Sequence, residues 1–127
     1  MKKGVATLGH SFSYPLKAAA VIRKGAIACL QGGYLIEGKE ADDLTTLGRI
    51  EETIDNSTGA NGDLSAPVMR EKIGFKHDGS ILPTHVGQEV YVVDAETLSA
   101  DSNTSARSVA GKLFAIQDGL AIINYGA

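Results

Sequence analysis

Tryptophan is absent from this 127-residue sequence, and cysteine occurs once. A lone cysteine, Cys29, excludes an intrachain disulfide. It lies in the apolar run "GAIACL" with no basic neighbour in sequence, so it reads as a small buried hydrophobe rather than a reactive thiolate. Positive charge is scarce as well. The formal net charge is −3 and the pI is near 5.5, and no basic cluster is longer than two residues, as in Lys2-Lys3. A nucleic-acid surface normally needs a basic stripe, so no nucleic-acid partner is expected. No apolar run approaches the roughly eighteen residues of a membrane span, so no membrane partner is expected either. The start, "MKKGVATLGHSFSYPL", has no continuous apolar core after its lysines and does not read as a signal peptide; the expected place of synthesis is the cytoplasm.

Catalytic signatures are also missing. His10, His77 and His85 have no partners at zinc-site spacing, and Cys29 cannot complete a thiolate set. "DAETLSADSN" spaces oxygen donors at Asp94, Asp101 and Asn103 but lacks the rhythm and terminal glutamate of a calcium loop, so these residues are expected not to hold a metal. There is no Gly-x-Ser-x-Gly elbow, no phosphate loop and no dinucleotide fingerprint. The pairs Asp42-Asp43 and Glu51-Glu52 are adjacent, so on a strand they point to opposite faces. Asn56-Ser57-Thr58 and Asn103-Thr104-Ser105 match the glycosylation pattern but read as polar loops without a secretion signal. No catalytic, cofactor-binding or metal residue is assigned, and no enzyme is expected. Serine, histidine and aspartate can still meet in space without a local sign, which keeps a small hydrolase as a minor alternative.

Glycine, by contrast, is abundant at 15 residues, and it punctuates short apolar runs. "GAIACL-QGG-YLIEG" and "KLFAIQ-DG-LAIINY" read as hairpins. Asp118-Gly119 is the stronger signal, because both central residues of a type I′ turn need positive φ. Asp78-Gly79 and Asn61-Gly62 mark further reversals, and "EVYVVD" and "LAIINY" are apolar enough for buried core strands. Helix signals are thin: Leu44, Leu47 and Ile50 make a partial stripe, and "LPTHVGQ" suggests one turn capped by Thr84. The expected fold is all-β, a compact sandwich or barrel-like (jelly-roll-like) domain over residues 20–127. Residues 1–19 read as an extended arm, either loose or docked on a neighbouring subunit through Phe12, Tyr14 and Leu16. Gly25 to Ile36 aligns with Gly111 to Ile122; a duplicated unit would explain this, but convergence on one turn chemistry explains so short a match better. The stretch from Asp94 to Arg107 reads as a long polar connection between a buried strand and the final hairpin.

Three segments resemble a known family. "VIRKGAIACLQGGYLIEGK", "LGRIEETIDNSTGANGDLSAPV" and "VGQEVYVVDAETLSADSNTSARSVAGKLFAIQDGLAIINYG" are similar to the head decoration, or capsid cement, proteins of tailed bacteriophages and prophages. The similarity spans about residues 20–125 and rests on Gly25, the Gly32-Gly33 turn, "GRIEETIDNSTGANG", "VGQEVYVVD" and "SVAGKLFAI-QDG". It implies a structural virion protein on the outer capsid surface, made in the host bacterial cytoplasm. Its implied partners are the major capsid protein and further copies of itself, as a dimer or trimer. The alternative from the residues alone is a small β-sandwich binding module, for carbohydrate for example. That reading is weakened by the absence of tryptophan and by only four tyrosines.

Overall fold

The computed structural model describes residues 10–126. Among the described residues the chain forms twelve strands and no α-helix. They are β1 (Ser11–Pro15), β2 (Val21–Ile22), β3 (Ile27–Gln31), β4 (Tyr34–Glu37), β5 (Leu44–Ile50), β6 (Ile54–Asp55), β7 (Ser65–Met69), β8 (Lys72–His77), β9 (Glu89–Val92), β10 (Thr97–Ser99), β11 (Val109–Gln117) and β12 (Leu120–Asn124). A short 3-10 turn, Pro83–His85, precedes β9. The fold is therefore all-β, as the turn chemistry implied.

The strands divide into two main units. One is a five-stranded sheet in the order β1-β7-β5-β3-β4; the other is a closed barrel in the order β10-β8-β12-β11-β9. β2 and β6 pair separately as a small ribbon. Each main unit holds one of the expected hairpins. Gly32 and Gly33 turn β3 into β4 with φ of 60° and 88°, and Asp118 and Gly119 turn β11 into β12 with φ of 56° and 77°. Both are type I′ geometry, whose twist matches that of the strands they join.

β3 explains the density of the run "GAIACL". Ile27 and Cys29 join the apolar cluster of the barrel, while Ala28 belongs to a second cluster with Leu16, Ile22, Leu35, Leu47, Ile50 and Val68. A strand buried on both faces cannot alternate apolar with polar residues. β5 carries a bulge where β3 changes register: Ala28 faces Gly48, Cys29 faces Thr46, and Leu47 is left without a partner. This extra residue gives β5 the partial helix-like stripe of Leu44, Leu47 and Ile50; the segment is a strand. Gly48 is required there. At φ 155°, a Cβ would stand 2.0 Å from the carbonyl oxygen of Met69.

Two expectations need correction. The ordered body begins before residue 20: Ser11–Pro15 is a strand paired antiparallel with β7, Leu16 is fully buried, and Tyr14 packs on the second core. Residues 1–9 of the expected arm lie outside the described residues. Ser11–Pro15 joins the sheet because its residues alternate: in "SFSYP", Phe12 and Tyr14 face the same side as their partners Val68 and Ala66, both fully buried. The second correction concerns Thr84. It lies inside the 3-10 turn, and the Leu82 N–H at its start donates instead to Nδ1 of His85, at 2.8 Å.

Candidate functional site

The polar stretch from Asp94 to Arg107 is partly barrel wall. Thr97–Ser99 forms β10, which pairs in parallel with β8 and antiparallel with β9 and so closes the barrel; Leu98 is fully buried there. The expectation of an unbroken loop is overturned at these residues. The closure lacked a local signature because its parallel pairing covers two residues, Thr97↔Lys76 and Leu98↔His77, brought together from distant sequence.

Its polar side chains are occupied with holding the chain. Asp94 accepts the Glu96 N–H at 2.9 Å, and Glu96 stands 3.3 Å from Lys76. Asp101 accepts the Asn103 N–H at 2.8 Å. Glu40 receives both Asn103 Nδ2 at 3.1 Å and Arg107 Nε at 2.9 Å, and Arg107 also donates to the Asp101 carbonyl at 2.9 Å. Asn103, Thr104 and Ser105 all have left-handed φ, at 51°, 55° and 66°. Such residues are individually unfavourable, and the ties from Glu40 and Arg107 hold them in place. Among the described residues, no three His, Cys, Asp or Glu side chains gather around a common point that would suit a metal.

The nucleophile candidates are equally committed. Ser80 Oγ donates to Asp78 at 2.5 Å, lies 3.2 Å from Ser99 Oγ and accepts the Ala100 N–H at 2.9 Å. Burial pushes the Asp78 carboxyl up, but hydrogen bonds from Ser80 and Ser99 and the charge of Arg107 outweigh it and hold that carboxyl below its usual range. His77 Nδ1 accepts the Gly79 N–H at 3.1 Å, His85 Nδ1 is held by Leu82, and His10 faces Glu71 at 3.4 Å. These contacts link serine to aspartate without a histidine between them, so they do not form the relay of a hydrolase. Cys29 is fully buried; desolvation pushes its thiol up to about 11, against a weaker opposite effect of Thr46 Oγ1 at 3.7 Å. It is a thiol at neutral pH, not a nucleophile.

Polar side chains also tie the units together. Ser108 Oγ donates to the Ala41 carbonyl at 2.6 Å and accepts the Leu44 N–H at 2.9 Å, while Thr46 Oγ1 donates to the Val109 carbonyl at 3.0 Å. Asn56, 2% exposed, uses both amide hydrogens on the carbonyls of Lys17 and Ala60. Its glycosylation motif is thus folded inward, whereas Asn103 is exposed but bonded to Glu40.

What remains available is surface. One pocket of about 220 Å³ is lined by Arg23, Lys24, Gly25, Ala26, Ala95 and Glu96. Another of about 460 Å³ is lined by His10, Glu71, Lys72, Asn124 and Gly126. Neither has an aromatic wall on which a sugar could stack. Large apolar side chains stand outward instead: Phe12 on the sheet, and Leu82, Val86 and Phe114 on the barrel unit. Lys72 Nζ sits 5.0 Å from the centre of the Phe114 ring. The sequence reading singled out Phe12 but missed Phe114. Its signal was the alternation in "KLFAI", where Leu113 points inward and Phe114 outward.

No protein-family model matches the chain, and no curated protein or solved structure matches it.

Proposed function

We propose that this protein is a structural virion component that binds the outside of a tailed-phage capsid and cements neighbouring major capsid subunits. In this reading it acts as a homo-oligomer, without a cofactor, nucleic-acid contact or membrane contact. The observation that carries it is the division of labour among side chains. The polar groups of the long connections are used internally, while Phe12, Leu82, Val86 and Phe114 are presented to solvent. Outward apolar side chains are what an adhesive β body would use as anchors in a partner surface. The segments similar to decoration proteins supply the choice of partner. Repetition of one weak contact over a capsid lattice gives high avidity, so modest individual patches suffice.

The test is co-sedimentation of purified protein with undecorated heads, followed by challenge of those heads with heat or chelator. Saturable binding and increased head stability are expected. Failure to bind heads, together with a hit in a glycan screen, would transfer the protein to the binding-module alternative. Covalent labelling by a broad serine-hydrolase probe would instead favour the hydrolase.

A further inference from the structure

Among the described residues, the outer edge of β1 is open over a defined length. Even-numbered residues of this segment turn their backbone groups toward β7: the His10 carbonyl accepts Arg70 N–H at 2.7 Å, and Leu16 N–H donates to the Leu64 carbonyl at 2.8 Å. Backbone groups alternate in direction along a strand, so Ser11, Ser13 and Pro15 turn theirs the other way. On that side Leu16 bridges Leu35, and Lys17 N–H donates to the Leu35 carbonyl at 3.1 Å, which closes the sheet from Pro15 onward. Upstream, Ser11 and Ser13 are exposed, and among the described residues nothing pairs with their outward N–H and C=O groups. Natural edges are commonly blunted by lysine, proline or a bulge. Ser11 to Tyr14 contains neither charge nor proline, and its register with β7 is unbroken.

We propose that two copies of this chain pair along this edge, β1 antiparallel to β1, with Phe12 facing the partner's Phe12 across a two-fold axis. The open groups select the register. Pairing Ser11 with the partner's Ser13, and Ser13 with the partner's Ser11, satisfies every open N–H and C=O at once. The intervening pair is then Phe12 with Phe12, in the non-hydrogen-bonded position where side chains approach most closely. Phe12 is 39% exposed, so each ring has surface left to bury. Centring on Ser13 would set Ser11 against Pro15, which has no N–H. Centring on Ser11 would set Phe12 against His10 and lose the contact between rings. A second copy is the fitting occupant because this register makes the edge self-complementary, as a two-fold interface requires. The inference deepens the self-association proposed above but does not depend on what the assembled protein coats.

Cross-linking of the full chain tests it. In separate variants, Phe12→Cys, Ser11→Cys, Ser13→Cys and a distant exposed control, Ser57→Cys, are exposed to a mild oxidant; buried Cys29 stays silent. A Cα separation of about 4.5 Å at a non-hydrogen-bonded pair suits a disulfide. Phe12→Cys is expected to give covalent dimer fastest. Faster dimer from Ser13→Cys or Ser11→Cys would overturn the register, and rates no greater than the Ser57→Cys control would overturn the pairing. In parallel, Ser13→Pro removes one outward N–H from each copy at a position where an edge strand tolerates proline. Sedimentation should show dimerisation weakened by about tenfold or more, with unchanged circular dichroism. Equal dimerisation of the two proteins would contradict the proposal. Head binding is scored separately, so a chain that dimerises through β1 yet ignores heads loses only the capsid reading.

Discussion

In the closed barrel, each strand has a hydrogen-bonded neighbour on both sides, whereas the five-stranded sheet ends in β1 and β4 and is drawn together by the single bridge Leu16↔Leu35. The two units share turn chemistry and a common apolar contact through β3, yet they differ in what their backbones can do for another molecule. The closed strand order leaves the barrel no terminal strand to offer, so side chains such as Phe114 are its outward apolar groups. Among the described residues, the sheet retains an open ladder at Ser11 and Ser13. Their cores differ too. The barrel cluster includes Phe75 and Leu113, with Phe75 and Tyr125 edge to face at 6.5 Å, while the sheet cluster includes Ala26, Ala28 and Ala66. Small residues let strands curl tightly but bury less apolar area each.

The most damaging substitution should fall in the sheet. Gly48→Val places carbon against the Met69 carbonyl, where no side-chain motion relieves it, and is expected to prevent folding, as read by circular dichroism and loss of soluble protein. A native spectrum for this variant would show that β5 and β7 move apart more easily than the packing implies.

Matched leucines sharpen the contrast. Leu98 in the barrel and Leu16 beside the open edge are both fully buried. Truncation to alanine costs about 2–5 kcal/mol in general, less where the site can collapse. Denaturant melts should place Leu98→Ala near the top of that range and Leu16→Ala nearer the bottom, because Leu16 lies past the end of β1 in a segment held by isolated bonds to Leu64, Gly62 and Leu35 rather than by a continuous ladder, and can move inward. The reverse order would break the comparison.

Cys29 lies between the units and reports on both. Its thiol is raised from 9.0 to about 11 in the fold, so the native state holds the proton longer than the unfolded chain. The corresponding stability, of order 3 kcal/mol at most, is fully present below about pH 9 and is lost as pH rises toward 11. Burial pushes the Tyr125 phenol up as well, so it acts in the same direction. Cys29→Ala should flatten the alkaline part of the stability profile without abolishing its slope, and an unchanged profile would refute the assignment.

The smallest expected effect is at the barrel hairpin. Gly119→Val meets no neighbouring atom, so only the strain of φ 77° counts, about 1 kcal/mol or somewhat more. The gap between this variant and Gly48→Val measures how far a collision with backbone exceeds strain alone.

These differences also explain which parts of the fold were legible in the sequence. Local chemistry was readable: Asp118-Gly119, Gly32-Gly33 and the apolar runs around them specify hairpins without help from distant residues. Features created by distant pairing were not. β10 is three residues closed by a parallel partner, and the bulge at Leu47 imitates a helical stripe. β1 was readable in principle, because Phe12 and Tyr14 alternate with serines, but an N-terminal segment ending in Pro15 resembles an arm until Val68 and Ala66 are placed beneath it. The polar stretch carried functional residue types, Asp94, Asp101, Asn103 and Arg107. Only the fold places Glu40 beside Asn103 and Arg107 and so gives them an internal role.

Residue-resolved amide exchange, compared between dilute and concentrated full-length protein, tests most directly the claim that the sheet, and not the barrel, is the open unit. In dilute solution the N–H groups of Ser11 and Ser13 should exchange rapidly, while those of Phe12 and Tyr14, directed at β7, are protected. On concentration, Ser11 and Ser13 should gain protection and the strands of the barrel should not change. New protection confined to the barrel strands, or none at Ser11 and Ser13 at any concentration, would contradict the account.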